Sequence, residues 1–198
     1  MKRNMLVLLC LCAVCATLDA AAAQNNVRVR GTITAFENNV LSVKSRDGKD
    51  LKVRLSDNAA VVTAKAITLA DLKAGDYVGV TGVRAPDGAR VAREVHTIAR
   101  TVPEGHGPWD LEPGSTMTNA NIDAIVQQSG DRELTLKYKD GTQKIRVPEK
   151  TPIVTQVPAD RSALKTGEYI FTIAQAAPDG SLTASRIQVS KDGVRPPQ

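Results

Sequence analysis

The chain has 198 residues, with 26 Lys and Arg against 21 Asp and Glu, and a formal net charge of +5 at pH 7. This mild charge lacks the strong basic bias of a dedicated nucleic-acid binder. Only 3% of the residues are aromatic, so few side chains are available to stack on bases, and no nucleic-acid partner is expected.

The first 23 residues carry the three-part pattern of a secretory signal peptide. Two basic residues precede the uncharged apolar run 5–18, and three alanines stand before Gln24. This run is shorter than the ~20 residues of a membrane-spanning helix. All 3 cysteines lie inside this segment, so the exported chain would have no disulfide and no thiolate ligand. We therefore expect a bacterial periplasmic protein with a cleavable signal peptide and no transmembrane segment in the mature chain.

After the signal peptide, the sequence repeats itself about 92 positions apart. The segment at 69–98 returns in the second half of the chain, and the strand–turn–strand pattern VLSVKSRDGKDLKVRL returns as ELTLKYKDGTQKIRV. The identical positions of the longer match are Leu72, Lys73, Gly75, Tyr77, Pro86, Asp87 and Gly88, which return as Leu164, Lys165, Gly167, Tyr169, Pro178, Asp179 and Gly180. Such self-similarity predicts two tandem copies of one small β domain.

Alternating apolar and polar residues predict five strands in the first copy, beginning with residues 27–35. The second strand contains Leu41 and Val43, and the others lie at 51–55, 76–83 and 90–98. Asp47-Gly48 and Pro86-Asp87-Gly88 predict the hairpin turns. A short helical turn is expected between Thr68 and Gly75. The second copy shows the same order.

Five short strands with a helical turn between the third and fourth are the element order of an OB-type barrel. We therefore expect an all-β protein of two tandem five-stranded OB-like barrels joined by a Pro/Gly-rich linker. The expected organisation is a signal peptide at 1–23, repeat 1 at 24–100, a linker at 101–116, repeat 2 at 117–193 and a tail at 194–198.

The spacing Leu-Lys-x-Gly-(Asp/Glu)-Tyr-(Val/Ile) before strand four resembles that of bacterial exported proteins with tandem OB-like domains of unknown function. Similar proteins sometimes carry the label "metal ABC transporter permease". This chain does not fit that label, because a permease needs several spanning helices.

The outer face of strands two and three is basic in both copies. Its candidate binding residues are Lys44, Lys52, Arg54, Lys137, Lys144 and Arg146. OB-type barrels often bind ligands on this face, so an envelope protein or an anionic envelope polymer is a candidate partner. Alternatively, the charges form a solvated face that discourages edge-to-edge aggregation.

The linker holds the only tryptophan, Trp109, which is expected to pack in a groove between the repeats and is a further candidate binding residue. Glu104, His106 and Asp110 flank it and together offer one nitrogen and two carboxylates to a metal ion. Metal binding near the linker is therefore an alternative hypothesis.

The remaining polar residues favour structural roles. Tyr77 and Tyr169 occupy equivalent positions, and we expect each hydroxyl to reach a backbone group. His96 stands where the other copy has Gln188, which predicts an outward polar position. No thiol, nucleophile elbow or phosphate loop is present after residue 23, so no catalytic residue and no cofactor are expected. The function predicted is that of a non-enzymatic periplasmic binding protein with an unidentified ligand, or alternatively of a metal-associated protein.

Overall fold

The computed structural model describes residues 25–128 and 131–198, so the predicted signal peptide lies outside the described residues. The described chain is all-β. Its strands are β1 (Asn25–Glu37), β2 (Val40–Ser45), β3 (Asp50–Ala66), β4 (Tyr77–Arg84), β5 (Arg90–Thr97), β6 (Gly105–Pro108), β7 (Thr116–Gln128), β8 (Asp131–Tyr138), β9 (Gly141–Arg146), β10 (Ile153–Ala159), β11 (Tyr169–Ala176) and β12 (Leu182–Val189). Two 3-10 turns, Leu69–Asp71 and Arg161–Ala163, precede β4 and β11. Over these residues, no helix has the length and apolar character needed to cross a membrane.

Five strands form a closed barrel. β1 pairs with β2 and β11, β3 pairs with β2 and β12, and β11 pairs with β12. Alternate residues of each strand point inward, as the period of two in a β-strand requires. The barrel core contains Val29, Ile33, Leu41, Val43, Val53, Leu55, Val61, Leu164, Ile170, Ala174, Ala184, Ile187 and Val189.

The other strands form a second group with a separate core. β4 pairs with β5 and β7, and β8 pairs with β7 and β9. β5 meets β9 at a single residue pair, Val91 with Arg146, and then runs parallel to β10. The core of the second group contains Leu69, Leu72, Val78, Val80, Ala92, Val95, Ala120, Ile122, Leu134, Leu136, Ile145, Val147 and Ile153.

Each of these groups draws strands from both halves of the chain. The closed barrel takes β1–β3 from before residues 101–116 and β11–β12 from after them. The second group takes β4 and β5 from the first half of the chain and β7–β9 from the second half. The prediction that each repeat forms its own barrel is therefore not confirmed. The strands mix in this way because of β3. Its 17 residues continue in one direction and span roughly 55 Å, so β4 and β5 lie beyond the end of β3 that leaves the closed barrel.

The far half of β3 pairs antiparallel with β10, which joins the two groups. The centre of this pairing is Ala64 with Gln156, two positions 92 apart in the sequence. Two further pairings are equivalent at this offset. Arg54 lies beside Thr183 in the closed barrel, and their counterparts 92 positions away, Arg146 and Val91, lie beside each other in the second group. A duplicated chain would give these pairings, and the duplication itself stays a prediction from the sequence.

Two glycines explain local features of the closed barrel. Gly48 has a φ angle of +84° in the predicted Asp-Gly turn between β2 and β3, a conformation that favours glycine. A Cβ atom at Gly31 would lie 2.2 Å from the carbonyl oxygen of Lys44. Gly31 thus allows β1 and β2 to approach closely, just before the bulge at Ile33 and Ala35.

Candidate functional site

The outer face of β4 and β5 is buried and polar. Thr81, Glu94 and His96 are 0%, 8% and 7% exposed, although they lie on the side of their strands opposite to Val80 and Val95 of the core. In an isolated barrel such a face would contact solvent. In this molecule it borders a cleft that Glu94, Trp109 and Tyr169 line. The segment 194–198 lies in that cleft, and its Arg195 and Gln198 contact these three side chains.

The main-chain N and O atoms of residue 198 are both hydrogen-bonded in the cleft. The backbone N–H of Gln198 donates to the Glu94 carboxylate, with distances of 2.9 Å to Oε1 and 3.1 Å to Oε2. Nε1 of Trp109 donates to the carbonyl oxygen of Gln198 at 2.7 Å. Because these bonds involve backbone atoms, they depend on the path of the segment and not on the identity of residue 198.

The rest of the segment packs on Tyr169 and buries two prolines. Pro196 and Pro197 are buried, and the guanidinium carbon of Arg195 lies 4.7 Å from the centroid of the Tyr169 ring. The hydroxyl of Tyr169 bonds with Oε1 of Gln198 at 3.3 Å. The predicted bond to a backbone group is therefore confirmed at Tyr77, whose hydroxyl donates to the carbonyl oxygen of Val102 at 2.8 Å, but Tyr169 reaches a side-chain amide.

Trp109 lies at the junction of the two groups. The strand just before it, β6, pairs with β7 of the second group, while Arg28 of β1 places its guanidinium carbon 4.1 Å from the ring centroid. Arg30, which is 5% exposed, donates to both carboxylate oxygens of Asp110 at 2.8 and 3.1 Å. This hydrogen bonding is the main cause of the lowered pKa of Asp110.

Burial moves the pKa values of Glu94 and His96 in opposite directions, because it disfavours the charged form of each. The pKa of Glu94 rises to about 7, although bonds from Gln198 and Thr81 and the charge of Arg30 oppose this rise. The pKa of His96 falls to about 4. The site therefore holds a carboxyl group that titrates near neutral pH beside an imidazole that is neutral there.

His96 lies on the outer face of β5, as expected, but the prediction that this position contacts solvent is wrong. The ring is buried, and its Nδ1 atom makes no hydrogen bond to the described residues. Gly79 pairs with His96 across the strands, and a Cβ atom at position 79 would lie 2.6 Å from Nε2. The absent side chain of Gly79 thus provides the space for the imidazole.

The predicted basic residues lie on two separate surfaces, the first three on β2 and β3 and the other three on β8 and β9. Acidic neighbours pair with half of them. The joined pairs are Lys44 Nζ–Asp50 Oδ1 at 3.2 Å, Lys144 Nζ–Glu133 Oε1 at 3.4 Å and Arg146 Nη2–Asp87 Oδ2 at 2.8 Å. Lys52, Arg54 and Lys137 are exposed. This pairing reduces the attraction that either surface exerts on a polyanion.

The three candidate metal ligands each contact a different partner. Glu104 Oε1 accepts a hydrogen bond from Asn121 at 2.8 Å, and Nδ1 of His106 lies 2.8 Å from Oγ1 of Thr118. Asp110 is held by Arg30, as described above. In the part of the chain with described coordinates, no three His, Cys, Asp or Glu side chains are grouped as a metal ion requires. The metal hypothesis therefore gains no support from this geometry.

Sequence reasoning named Trp109 and Tyr169 but missed Glu94, which binds residue 198, and Arg30, which lies beside Trp109; His96 was placed on the same strand but in solvent. One signal was available, because residues two apart on a strand share a face, and Glu94 and His96 therefore had to lie side by side on β5. From the sequence alone, a polar strand face of this kind is predicted to be exposed to solvent unless another element is known to cover it.

The fold defines an all-β protein with a closed five-stranded barrel and additional paired strands. Within it, residues 30–96 match DUF5666, a domain of unknown function. This segment runs from β1 to β5 and contains Arg30, Glu94 and His96, so the matched unit contributes strands to both groups. The match agrees with the expected resemblance to uncharacterised domains. A search of curated proteins and a search of solved structures found no match to the chain.

Proposed function

We propose that this chain is an exported, non-enzymatic binding protein whose cleft takes extended, proline-containing protein segments. The observation that carries the proposal is the pair of main-chain hydrogen bonds to residue 198, one from Trp109 and one to Glu94. Recognition of extended segments commonly combines main-chain hydrogen bonds with aromatic surfaces that accept proline.

We further propose that the scaffold consists of two OB-like barrels from a duplicated sequence. The ring order β1-β2-β3-β12-β11 supports this for the closed barrel. The second group repeats the order as β7-β8-β9-β5-β4, although its β9–β5 contact is a single residue pair. In this arrangement each barrel borrows its last two strands from the other repeat.

A protein partner fits the cleft better than an anionic polymer does. The cleft binds backbone groups, buries Pro196 and Pro197, and presents Glu94 as a hydrogen-bond acceptor, which suits a backbone N–H and not an anionic group. Half of the predicted basic residues are paired with acids. The partner that we propose is therefore an envelope protein that presents a proline-containing segment in the periplasm.

Residues 194–198 would compete with such a partner. A tethered segment acts at an effective concentration in the millimolar range, so an external segment must displace it. Partner binding would therefore be weaker in the intact chain than in a chain with an empty cleft.

Trp109 is the only tryptophan, so its fluorescence reports the cleft directly. We would titrate a variant lacking residues 194–198 with the peptide VRPPQ, capped at both ends to remove terminal charges. We expect saturable binding with a shift in Trp109 emission, and at least tenfold weaker binding to the intact chain because of the tether.

Two variants in the shortened background test the contacts. Glu94→Ala removes the acceptor for the residue 198 N–H and should weaken the peptide about tenfold, since a hydrogen bond to a charged group contributes about 1.5–3 kcal/mol. Arg54→Gln changes an exposed charge away from the cleft and should leave binding unchanged. Failure of the peptide to bind the shortened chain, or equal weakening by both variants, would contradict the proposal.

A further inference from the structure

A cavity of about 1200 Å³ opens at one end of the second group. Its apolar wall comes from Ile67, Leu69, Val91, Val147 and Ile153, and its polar lining includes Arg132 and Arg146. None of these residues belongs to the cleft, so the cavity is a separate feature and does not depend on the proposed function.

Two guanidinium groups give the cavity a positive side. Arg146 is held in place by Asp87, with Nη2 lying 2.8 Å from Oδ2. Nε of Arg132 is buried and makes no hydrogen bond to the described residues. Among the residues whose side chains the structure describes, the exposed Glu149 is the acid that lines the cavity. A planar guanidinium is well suited to carboxylate or sulfonate oxygens.

The corresponding place in the closed barrel is blocked. There the side chain of Arg161 bonds to Oδ1 of Asn39 and donates to the carbonyl oxygens of Ser56 and Asp57, at 2.7 and 2.8 Å. Arg161 therefore ties its 3-10 turn to both the β1–β2 turn and the middle of β3.

The second group has different residues at these positions. Leu69 begins its 3-10 turn, as Arg161 begins the other, and a leucine can make no such bonds. Arg132 occupies the place of Asn39, since Val147 donates its N–H to the Arg132 carbonyl just as Leu55 does to that of Asn39. The residue that closes one barrel is thus absent from the other, and an arginine lines the space that remains.

We propose that this cavity is a binding site for a small organic anion with an apolar body. The apolar wall would accept the body of the ligand, and Arg132 and Arg146 would bind its carboxylate or sulfonate. Lipid-like carboxylates and aromatic acids share this chemistry.

The probe is 1-anilinonaphthalene-8-sulfonate, compared with N-phenyl-1-naphthylamine, which has the same aromatic body without the charge. Calorimetric titration of the full-length exported chain should show one site per chain, with the anion bound roughly tenfold more tightly than the neutral amine because of the charge-assisted bonds. Arg132→Gln and Arg146→Gln should each remove most of this preference.

Arg54→Gln is the matched control, because Arg54 is the counterpart of Arg146 in the closed barrel, and it should change nothing. Leu69→Arg imports the residue that blocks the other barrel and should abolish binding of both probes, provided that circular dichroism shows a folded chain. The Gln variants change partly exposed residues and test the site even if Leu69→Arg does not fold. The proposal is overturned if the anion has no preference over the amine, if Arg54→Gln weakens it as much as Arg146→Gln does, or if folded Leu69→Arg binds both probes as the unmodified chain does.

Discussion

Glu94 and His96 should make opposite contributions to the pH dependence of stability. The pKa of Glu94 is raised from 4.5 to about 7 in the folded chain. Its contribution to stability is therefore fully present below pH 4.5 and is lost as the pH rises to 7. The pKa of His96 is lowered from 6.5 to about 4, so its contribution is present above pH 6.5 and is lost as the pH falls through 4.

The two effects are similar in size. The difference between 4.5 and 7 for Glu94, at about 1.4 kcal/mol per pH unit, corresponds to about 3 kcal/mol. The difference between 6.5 and 4 for His96 corresponds to about the same amount with the opposite sign. Over the shared window, the two contributions should nearly cancel in the unmodified protein.

Single substitutions should reveal each contribution. His96→Gln introduces the residue found at position 188 and leaves Glu94 unchanged. As the pH rises from 4 to 6.5, the free energy of unfolding of this variant should fall by about 3 kcal/mol relative to that of the unmodified chain. Glu94→Gln leaves His96 alone and should gain a similar amount relative to the unmodified chain between pH 4.5 and 7. Urea unfolding at half-unit pH steps gives these differences, and subtraction of the unmodified curve removes the other titrating groups.

The double variant, Glu94→Gln with His96→Gln, serves as the control. Its pH profile should run parallel to that of the unmodified chain, because both opposing contributions are gone. If either single variant instead gave a profile parallel to the unmodified one, or if both deviated with the same sign, the burial that we assign to these side chains would be wrong.

Three further predictions concern packing and connection. Gly31→Ala should lower the free energy of unfolding, measured by urea titration, by more than Gly79→Ala does. The new Cβ would meet the Lys44 backbone at position 31 but the imidazole of His96, which can move, at position 79, where overpacking costs about 1–3 kcal/mol. Equal losses would contradict this. Trp109→Ala should cost about 2 kcal/mol and lower the melting temperature, since a large aromatic contact at the junction is lost, and an unchanged melting curve would refute that role. After cleavage at a protease site inserted between residues 101 and 104, the two halves of the chain should still elute together on size-exclusion chromatography, because each group contains strands from both halves. Separate elution of the halves would show that the groups do not share strands in this way.

The elements that sequence reasoning located correctly are those that depend on neighbouring residues. Alternating side chains locate four of the first-copy strands, and the Asp-Gly pair locates the turn at Gly48, because both signals are local. The third strand was predicted only at 51–55, whereas β3 continues to Ala66. The 3-10 turn after Thr68 was also recognised, and its Asp71 carboxylate caps the turn at the Thr68 N–H at 2.7 Å.

The features that were missed depend on distant residues. The sequences of β4 and β5 resemble those of β11 and β12, so local pattern does not decide which pair completes the closed barrel; the direction in which β3 carries the chain does. His96 was assigned to the surface because its strand alternates correctly, but the alternation says nothing about what covers the outer face. The docking of residues 194–198 leaves no mark in the local pattern of Glu94 or Trp109.

The mixing of strands from both halves of the chain covers the face that lines the cleft. β5 is held by β4 on one edge and meets β10 on the other, and β10 also pairs with β3, so the outer face of β5 lies inside the molecule. A carboxylate on such a face is costly unless it is hydrogen-bonded, and Glu94 has two donors, the hydroxyl of Thr81 at 2.9 Å and the N–H of residue 198. Thr81 alone can supply only one bond to a group with two oxygens, so Glu94 needs a second donor from outside its own group of strands. An extended segment supplies that donor from its backbone, and for this reason we propose the cleft, and not the basic strand faces, as the binding site.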